Sequence, residues 1–302
     1  MERILKAFKD LYVGEKPFKA HAAWMLLMLI PALIGGFGAW LDKETPKETL
    51  VFLLPIIILL LCVAIVPAFM LAGFGIEFYR LRLEGKTGIP KITFDLFNKG
   101  LQVFPLGFVW CFYYFLAMVL FLFLPIGALV GAGIASNGDT ATVILLILLG
   151  IVLGTVYFVG VMVLSPFLNY VFIQFSKDYT NKAEYFNPFV IFIYMKQAFK
   201  STMLVMLKMI LASFAVNMAA QMVSMIFVVL ALAFSAIAAV SAPTEAAAET
   251  AAMSPIVVLL ALPFTTIASL IQTYATAVAT CAASDMYVEV YKNEIEPMQN
   301  RF

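Results

Sequence analysis

Long apolar runs, separated by short polar or charged breaks, make up most of this chain. Six of them reach or exceed about 20 residues, the length that an α-helix needs to cross a bilayer. The six runs cover residues 20–40, 49–79, 102–134, 141–175, 202–241 and 255–284. The pattern predicts an all-α, polytopic membrane helix bundle with six transmembrane helices, built as a single membrane domain over residues 1–302.

Three shorter segments place apolar residues on one helix face and charged residues on the other. They cover residues 1–19, 90–101 and 188–200, and each is too short and too charged to span a bilayer. Such segments are typical of helices that lie along the membrane surface. We therefore expect an N-terminal interfacial helix at 1–19 and two interfacial helices on the cytosolic side. The latter two are expected to begin at Pro90 and Pro188, because proline is tolerated in the first helical turn.

Composition excludes a soluble domain. Apolar residues make up 64% of the chain, charged residues only 12%, and the mean hydropathy is +1.00. Soluble domains are nearer half apolar and a quarter charged. Water would oppose the exposure of so much apolar surface, whereas a bilayer accepts it.

The basic residues predict the orientation. Of the 19 Lys and Arg residues, only Lys43 and Lys47 fall on one side of the six-helix topology, and the other 17 fall on the opposite side. The positive-inside rule places the basic side in the cytosol. We expect a multi-pass protein of the plasma (inner) membrane with both termini cytosolic. The Ala-rich segment 241–254 is then an extracytosolic loop, as is the short loop Asn137–Asp139.

The spacing of prolines and the similarity of the segments after them suggest an internal repeat. Pro67 and Pro90 are 23 residues apart, and Pro166 and Pro188 are 22 apart. The text after the later prolines is comparable, PKITFDLFNKGLQV against PFVIFIYMKQAFKS. One interpretation is three parallel two-helix repeats, since an even number of spans keeps every unit in one orientation. The other is chance similarity between amphipathic segments drawn from few residue types.

Residues 73–110, GFGIEFYRLRLEGKTGIPKITFDLFNKGLQVFPLGFVW, combine a Gly-aromatic helix end, a basic glycine-containing turn and an aromatic-rich amphipathic stretch. This text resembles the uncharacterised membrane proteins of the domain-of-unknown-function 4013 family. The matching residues are Gly75, Phe78, Arg80, Gly85, Pro90, Phe94, Phe97 and Gly100. The chain departs from the pattern by Ile89 before Pro90 and by lacking a tryptophan soon after it. The resemblance implies a membrane architecture and no activity.

Polar residues inside the predicted spans are the candidates for a site. Charged residues such as Glu77, Lys208 and Asp285 lie near the helix ends, where contact with headgroup water is more common than a proton relay. Neutral polar residues are more frequent, and they avoid lipid because it offers no hydrogen-bond partner. They either form a small polar cavity or bond helix to helix: Asn169, Asn217, Gln221, Thr266, Gln272 and Thr273.

Two further patterns suggest contacts. The glycine pairs Gly127–Gly131 and Gly150–Gly154 flank the loop at 135–140 and predict a tightly closed hairpin. Basic residues in the cytosolic loops suit anionic lipid headgroups or a partner protein better than nucleic acid. The candidates for those contacts are Arg80, Arg82, Lys86, Lys177 and Lys182.

No motif indicates catalysis, a metal or a cofactor. The single histidine, His21, and three cysteines without metal-like spacing predict no metal site, and no nucleotide-binding motif is present. A lipid-modifying enzyme ranks last because no nucleophile–base pair or carboxylate pair is evident. The sequence favours a non-enzymatic membrane scaffold or accessory subunit that contacts lipid or partner proteins. The alternative is a transporter or channel for a small neutral or amphiphilic solute.

Overall fold

A computed structural model of the chain describes residues 2–13, 17–40, 47–135, 140–180, 182–240 and 255–299. Every regular element in that part of the chain is a helix. The helices are α1 (Glu2–Leu11), α2 (Pro17–Trp40), α3 (Lys47–Leu83), α4 (Asp95–Met118), α5 (Leu124–Ala135), α6 (Thr140–Phe175), α7 (Val190–Val240), α8 (Pro255–Val290) and α9 (Glu296–Gln299). Two π-helical segments, Val119–Phe123 and Tyr291–Ile295, join α4 to α5 and α8 to α9, and a 3₁₀ turn spans Ala183–Phe186.

Five helical stretches among the described residues are long and apolar enough to cross a membrane. They are Val63–Leu83, Asp95–Gly131, Thr140–Phe175, Val190–Leu230 and Thr266–Met298. They coincide with the second to sixth predicted spans, and α2 occupies the position of the first. The prediction of an all-α chain suited to a membrane is confirmed at this level. The predicted loops Asn137–Asp139 and 241–254 lie outside the described residues.

The amphipathic segments differ from their predicted bounds. The first helix ends at Leu11 rather than residue 19, and α2 begins at Pro17. The segment 90–101 is not a helix entered at Pro90, because α4 begins at Asp95 and continues without a break to Met118. An acidic residue in the first turn stabilises a helix N-terminus, which favours a start at Asp95 over one at proline.

The third amphipathic segment is closer to its prediction. Helix α7 begins at Val190, where the side-chain Oδ1 of Asn187 accepts a hydrogen bond from the backbone N–H of Phe189 at 2.9 Å. Ala198 has φ −133° and ψ 27°, which interrupts the helical geometry. Residues 190–197 therefore form a short helical segment that is set off from the rest of α7 by a kink.

The chain forms two compact units. Unit 1 comprises Met1–Gly100 and Leu207–Met286, and unit 2 comprises Leu101–Met206 and Tyr287–Phe302. Helices α4, α7 and α8 each contribute to both units, so the unit boundaries lie within helices rather than in loops.

In unit 1, α3 and α4 meet backbone to backbone at two glycines. A Cβ atom added to Gly73 would lie 1.8 Å from the carbonyl oxygen of Leu96, and one added to Gly100 would lie 1.9 Å from that of Phe69. Leu96 and Gly100 are one turn apart on α4, and Phe69 and Gly73 are one turn apart on α3. Each glycine therefore receives the opposing turn, and no larger residue fits at either position.

The end of α3 is held by a C-terminal turn that also contacts α1. Gly85, with φ +74°, follows the helix, and the N–H of Lys86 reaches back to the carbonyl of Leu81 at 2.9 Å. This pattern is the Schellman motif, which favours glycine at the left-handed position. The N–H of Gly88 then donates to the carbonyl of Asp10 at 2.7 Å. The turn thereby fixes α1 against the end of α3.

Unit 2 has an aromatic core. Tyr170 on α6 is fully buried, and its ring lies 5.8 Å from that of Tyr194 and 6.1 Å from that of Tyr287. The Tyr170 hydroxyl forms a 2.6 Å hydrogen bond with Thr202. Ser201 donates a short hydrogen bond to Glu294. These contacts join α6, α7 and the segment after α8.

The glycine pairs of the α5–α6 hairpin do not close it. A Cβ atom at Gly127, Gly131 or Gly150 would meet nothing within 4 Å, and one at Gly154 would meet only Leu122 at 3.8 Å. The prediction of tight backbone contact there is wrong. Four-residue glycine spacing permits a close approach without causing one.

Replacing Gly73 tests the crossing of α3 and α4. Gly73→Ala places a methyl group against the Leu96 carbonyl, and overpacking of this kind costs about 1–3 kcal/mol or more. We expect a lower thermal unfolding temperature in detergent, measured by circular dichroism. Gly75→Ala, two residues away on α3, is the matched control because its Cβ meets nothing within 4 Å. Equal unfolding temperatures for the two variants would contradict the backbone contact.

Candidate functional site

Unit 1 contains an open cavity of about 610 Å³ between α2, α3 and α8. Aromatic side chains form one wall, and α8 forms the other with a stripe of polar side chains. The aromatic residues are Trp24, Phe74, Phe78 and Tyr79, and the polar ones are Gln272, Thr273, Thr276, Thr280 and Ser284. Trp24 stacks on Phe74 with ring centroids 4.8 Å apart, which fixes the aromatic wall.

Only two of the six predicted polar residues, Gln272 and Thr273, line this cavity. Sequence reasoning missed Thr276, Thr280 and Ser284, although their four-residue spacing places them on one helix face. Thr280 and Ser284 each donate to the carbonyl four residues earlier at 2.9 Å, and Ser284 Oγ also lies 3.4 Å from the Tyr79 hydroxyl. The Thr280 hydroxyl oxygen keeps its capacity to accept a hydrogen bond. The cavity therefore suits a neutral ligand with an apolar body and hydrogen-bond donors.

The predicted polar residues also bond helix to helix. The Gln272 amide donates to the Ser224 hydroxyl at 3.2 Å, and the Thr276 hydroxyl donates to Oδ1 of Asn217 at 3.1 Å. These two bonds join α7 to α8 within unit 1. The two alternatives left open by the sequence, a cavity and interhelical bonding, thus share residues on α8.

The remaining predicted residues lie elsewhere. Gln221 is exposed and its backbone carbonyl accepts a bond from Ser224 at 3.0 Å, whereas Thr266 is buried at 7% exposure. Asn169 belongs to unit 2, where its amide donates to the carbonyl of Pro166 on the same helix at 2.9 Å. Within unit 1, the cavity is thus lined by two of the six candidates, Gln272 and Thr273.

Arg82 is not placed as a headgroup contact. Its side chain is 4% exposed, and its Nε lies 3.1 Å from Oδ1 of Asp285. Nη1 donates to the carbonyl of Lys86 at 2.7 Å, and the guanidinium lies 4.7 Å from the Phe78 ring centroid. The buried cation thus joins α3 to α8 and closes the turn after α3.

The other predicted cations remain near the surface, in ion pairs. In unit 1, Glu84 pairs with Lys86 at 2.6 Å and with Arg80 at 3.0 Å, and these hydrogen bonds hold the pKa of Glu84 below its ordinary value.

In unit 2, Lys177 pairs with Glu296 at 2.7 Å and Lys182 with Asp178 at 2.8 Å. Burial raises the pKa of Asp178, but hydrogen bonds from Lys182 and Thr180 outweigh it and lower the pKa overall. Hydrogen bonding to Asp178 raises the pKa of Lys182. The exposed cations can still meet a headgroup, because each is at least a third exposed.

His21 has a structural position that its sequence context did not reveal. Its Nε2 lies 3.1 Å from the carbonyl of Leu11, and its Nδ1 lies 2.7 Å from the Tyr274 hydroxyl. A carbonyl only accepts, so Nε2 donates to Leu11. The Tyr274 hydroxyl also lies 3.2 Å from that of Tyr12. Tyr12 stacks on the ring at 4.4 Å. The histidine therefore connects the end of α1 to α8 within unit 1.

No family model matches the chain, and no curated protein and no solved structure matches it either. The resemblance of residues 73–110 to the domain-of-unknown-function 4013 family stays a prediction.

Removing the Arg82 charge tests its role in unit 1. Arg82→Gln removes the cation that pairs with Asp285, and breaking a buried ion pair in this way costs about 3–5 kcal/mol. We expect the variant to unfold at a clearly lower temperature or denaturant concentration than the wild type. Arg80→Gln is the control, since that cation is 43% exposed and water screens its pairs. Similar losses in both variants would argue against a buried Arg82–Asp285 pair.

Proposed function

We propose that the chain is a non-enzymatic membrane scaffold or accessory subunit that contacts membrane lipid and a partner protein. The observation that supports this proposal is that polar side chains inside unit 1 bond to neighbouring helices. In unit 1, Gln272, Thr276 and Arg82 bond to neighbouring helices rather than standing free for a substrate. His21, the single histidine of the chain, is 5% exposed, and both of its ring nitrogens are hydrogen-bonded.

Apolar surface on α6 supports a role in contact. Leu145, Leu148, Ile151 and Val156 are each more than half exposed although they lie on a candidate span. A helix that is apolar on several faces requires lipid or other helices around it. Anionic headgroups are the expected lipid partners on the cytosolic side, where Lys177 and Lys182 are 37% and 50% exposed.

We further propose six spans with both termini in the cytosol of a plasma (inner) membrane. Helix α2 is proposed as the first span, in addition to the five candidate spans. It has 24 residues, or about 36 Å at 1.5 Å per residue, and the hydrocarbon core of a bilayer is about 30 Å thick. Its text from Ala22 to Trp40 contains no charged residue. The asymmetry of 17 basic residues against two supports the orientation.

A parallel two-helix repeat is consistent with this topology. The three returning helices α3, α6 and α8 have 37, 36 and 36 residues. In unit 1, the turn after α3 bonds to Asp10 of α1. In unit 2, the loop after α6 bonds to α4, because Trp110 donates to the carbonyl of Tyr185 at 3.0 Å. In both cases the second helix of a pair, α3 or α6, is followed by a loop. That loop bonds to a helix that precedes the second helix in the same repeat, α1 or α4.

The orientation is tested with reporter fusions. A reporter that is active only in the cytosol is expected to be active when fused after Phe302, and inactive when inserted within 241–254. The physical reason is that the basic segments resist translocation. An active insertion at 241–254 together with an inactive C-terminal fusion would reverse the proposed topology.

The unit 1 cavity favours the alternative function, binding or passage of a small neutral or amphiphilic solute. Its polar stripe and aromatic wall supply what such a ligand needs, and its volume lies within the range of about 300–1,000 Å³ usual for ligand sites. Gly75 lines this cavity, and a Cβ atom added there would meet nothing within 4 Å. Gly75→Leu therefore introduces a side chain into the cavity from a position with room for its first carbon.

One experiment separates the two functions. In the first part, the protein is extracted with its surrounding bilayer and the molecular mass of the isolated complex is measured. In the second part, the protein is reconstituted in liposomes, and swelling is measured with neutral solutes. A scaffold is expected to be isolated with a second protein in fixed ratio, heavier than the 33.3 kDa chain, and to leave swelling at the level of empty liposomes. Faster swelling that Gly75→Leu abolishes, with no partner protein, would instead establish the solute function.

A further inference from the structure

Unit 2 contains a second cavity, of about 350 Å³, between α4, α6 and the start of α7. Its lining is aromatic and aliphatic, and includes Trp110, Tyr113, Tyr114, Tyr157 and Ile191. Three of these side chains use their polar groups in hydrogen bonds to backbone carbonyls. Trp110 donates to the carbonyl of Tyr185 at 3.0 Å, Tyr113 to that of Phe186 at 2.8 Å, and Tyr157 to that of Tyr114 at 3.3 Å.

Hydrocarbon contact dominates this lining. Among the described residues, the Tyr114 hydroxyl is buried and has no hydrogen-bond partner, so it can donate to a ligand oxygen. A strongly polar ligand would lose most of its hydration without replacement bonds, and water is likewise disfavoured in an apolar cavity. A chain of methylene groups has no hydrogen bonds to lose on entering.

The rim of the cavity lies where such chains are abundant. Phe121 and Val156 belong to candidate spans and are 64% and 65% exposed, and Phe192 is 49% exposed. Apolar side chains exposed on a spanning helix face lipid tails. The surrounding hydrocarbon therefore reaches the opening of the cavity directly.

A cation lies in the loop that contacts the cavity lining. The loop carbonyls of Tyr185 and Phe186 accept the Trp110 and Tyr113 hydrogen bonds, and the ammonium of Lys182 lies 5.8 Å from the ring centroid of Tyr185. Lys182 is half exposed although it pairs with Asp178. A phosphate group at the membrane surface would lie favourably beside it. An apolar cavity and a half-exposed cation in the loop that bonds to its lining match the two parts of a phospholipid.

We propose that this cavity is a phospholipid site, in which one acyl chain lies between α4 and α6 with its headgroup beside the loop at 182–188. The site goes beyond the scaffold function and does not depend on it. A protein with no partner protein still binds this lipid.

The test uses Trp110, which is 3% exposed and so meets bulk lipid little. Bromine atoms on an acyl chain quench tryptophan emission on contact. Two glycines of α6 provide the variant and its control. Gly160 lines the cavity and Gly150 does not. A Cβ atom added to either glycine would meet nothing within 4 Å. Gly160→Leu fills the site and Gly150→Leu is its matched control. Both variants retain Trp24 and Trp40, whose contributions cancel in the comparison.

The two variants are reconstituted in dioleoyl-phosphatidylcholine or its brominated analogue. We expect brominated lipid to reduce the emission of Gly150→Leu more than that of Gly160→Leu, and Trp110→Phe in both backgrounds to remove the difference. Native mass spectrometry is expected to show the loss of one retained phospholipid from Gly160→Leu alone. Equal quenching and equal lipid retention in the two glycine variants would overturn the site, as would a difference that survives Trp110→Phe.

Discussion

A polar side chain loses free energy when it leaves water without gaining a hydrogen bond, and the polar contacts between helices of unit 1 reflect this constraint. Within unit 1, Arg82 pairs with Asp285, Thr276 donates to Asn217, and Lys99 lies 2.8 Å from Glu77. Each contact joins two different helices. Since polar partners are few, these pairings also determine which helix faces meet. Polar residues are rare in the chain, so each contributes much to the specificity of packing.

Where polar partners are absent, packing depends on how closely two backbones approach. Gly73 and Gly100 each receive the opposing turn, which brings α3 and α4 together near the start of α4. Lys99 precedes Gly100, its side chain is 16% exposed, and its ammonium lies 2.8 Å from Glu77 on α3. By contrast, the glycines of the α5–α6 hairpin contact nothing comparable, and α6 keeps much of its apolar surface exposed. The same residue type thus closes one helix pair and leaves another open.

The two units offer different chemistry to a ligand. The unit 1 cavity combines an aromatic wall with hydroxyl and amide groups of α8, so it discriminates by hydrogen bonding. In the unit 2 cavity, the Trp110 and Tyr113 donors bond to the loop carbonyls of Tyr185 and Phe186, so hydrocarbon contact dominates its lining. In both, aromatic rings supply rigid walls, because they bury large areas with few rotatable bonds.

The sequence by itself determined the class of protein and the position of its long helices, because apolar runs of this length leave few alternatives to spanning helices. It also singled out Gln272 and Thr273, since polar residues are conspicuous in an apolar run. It did not determine where α4 begins, which depends on helix-end interactions near Asp95. It assigned Arg82 to the surface because charge alone does not reveal a partner 203 positions later in the chain, and the pair with Asp285 exists only after folding. Likewise, Tyr274 lies 253 positions from His21, and both cavities are formed by helices far apart in sequence. Local pattern specifies elements, whereas contacts between distant elements depend on how those elements pack.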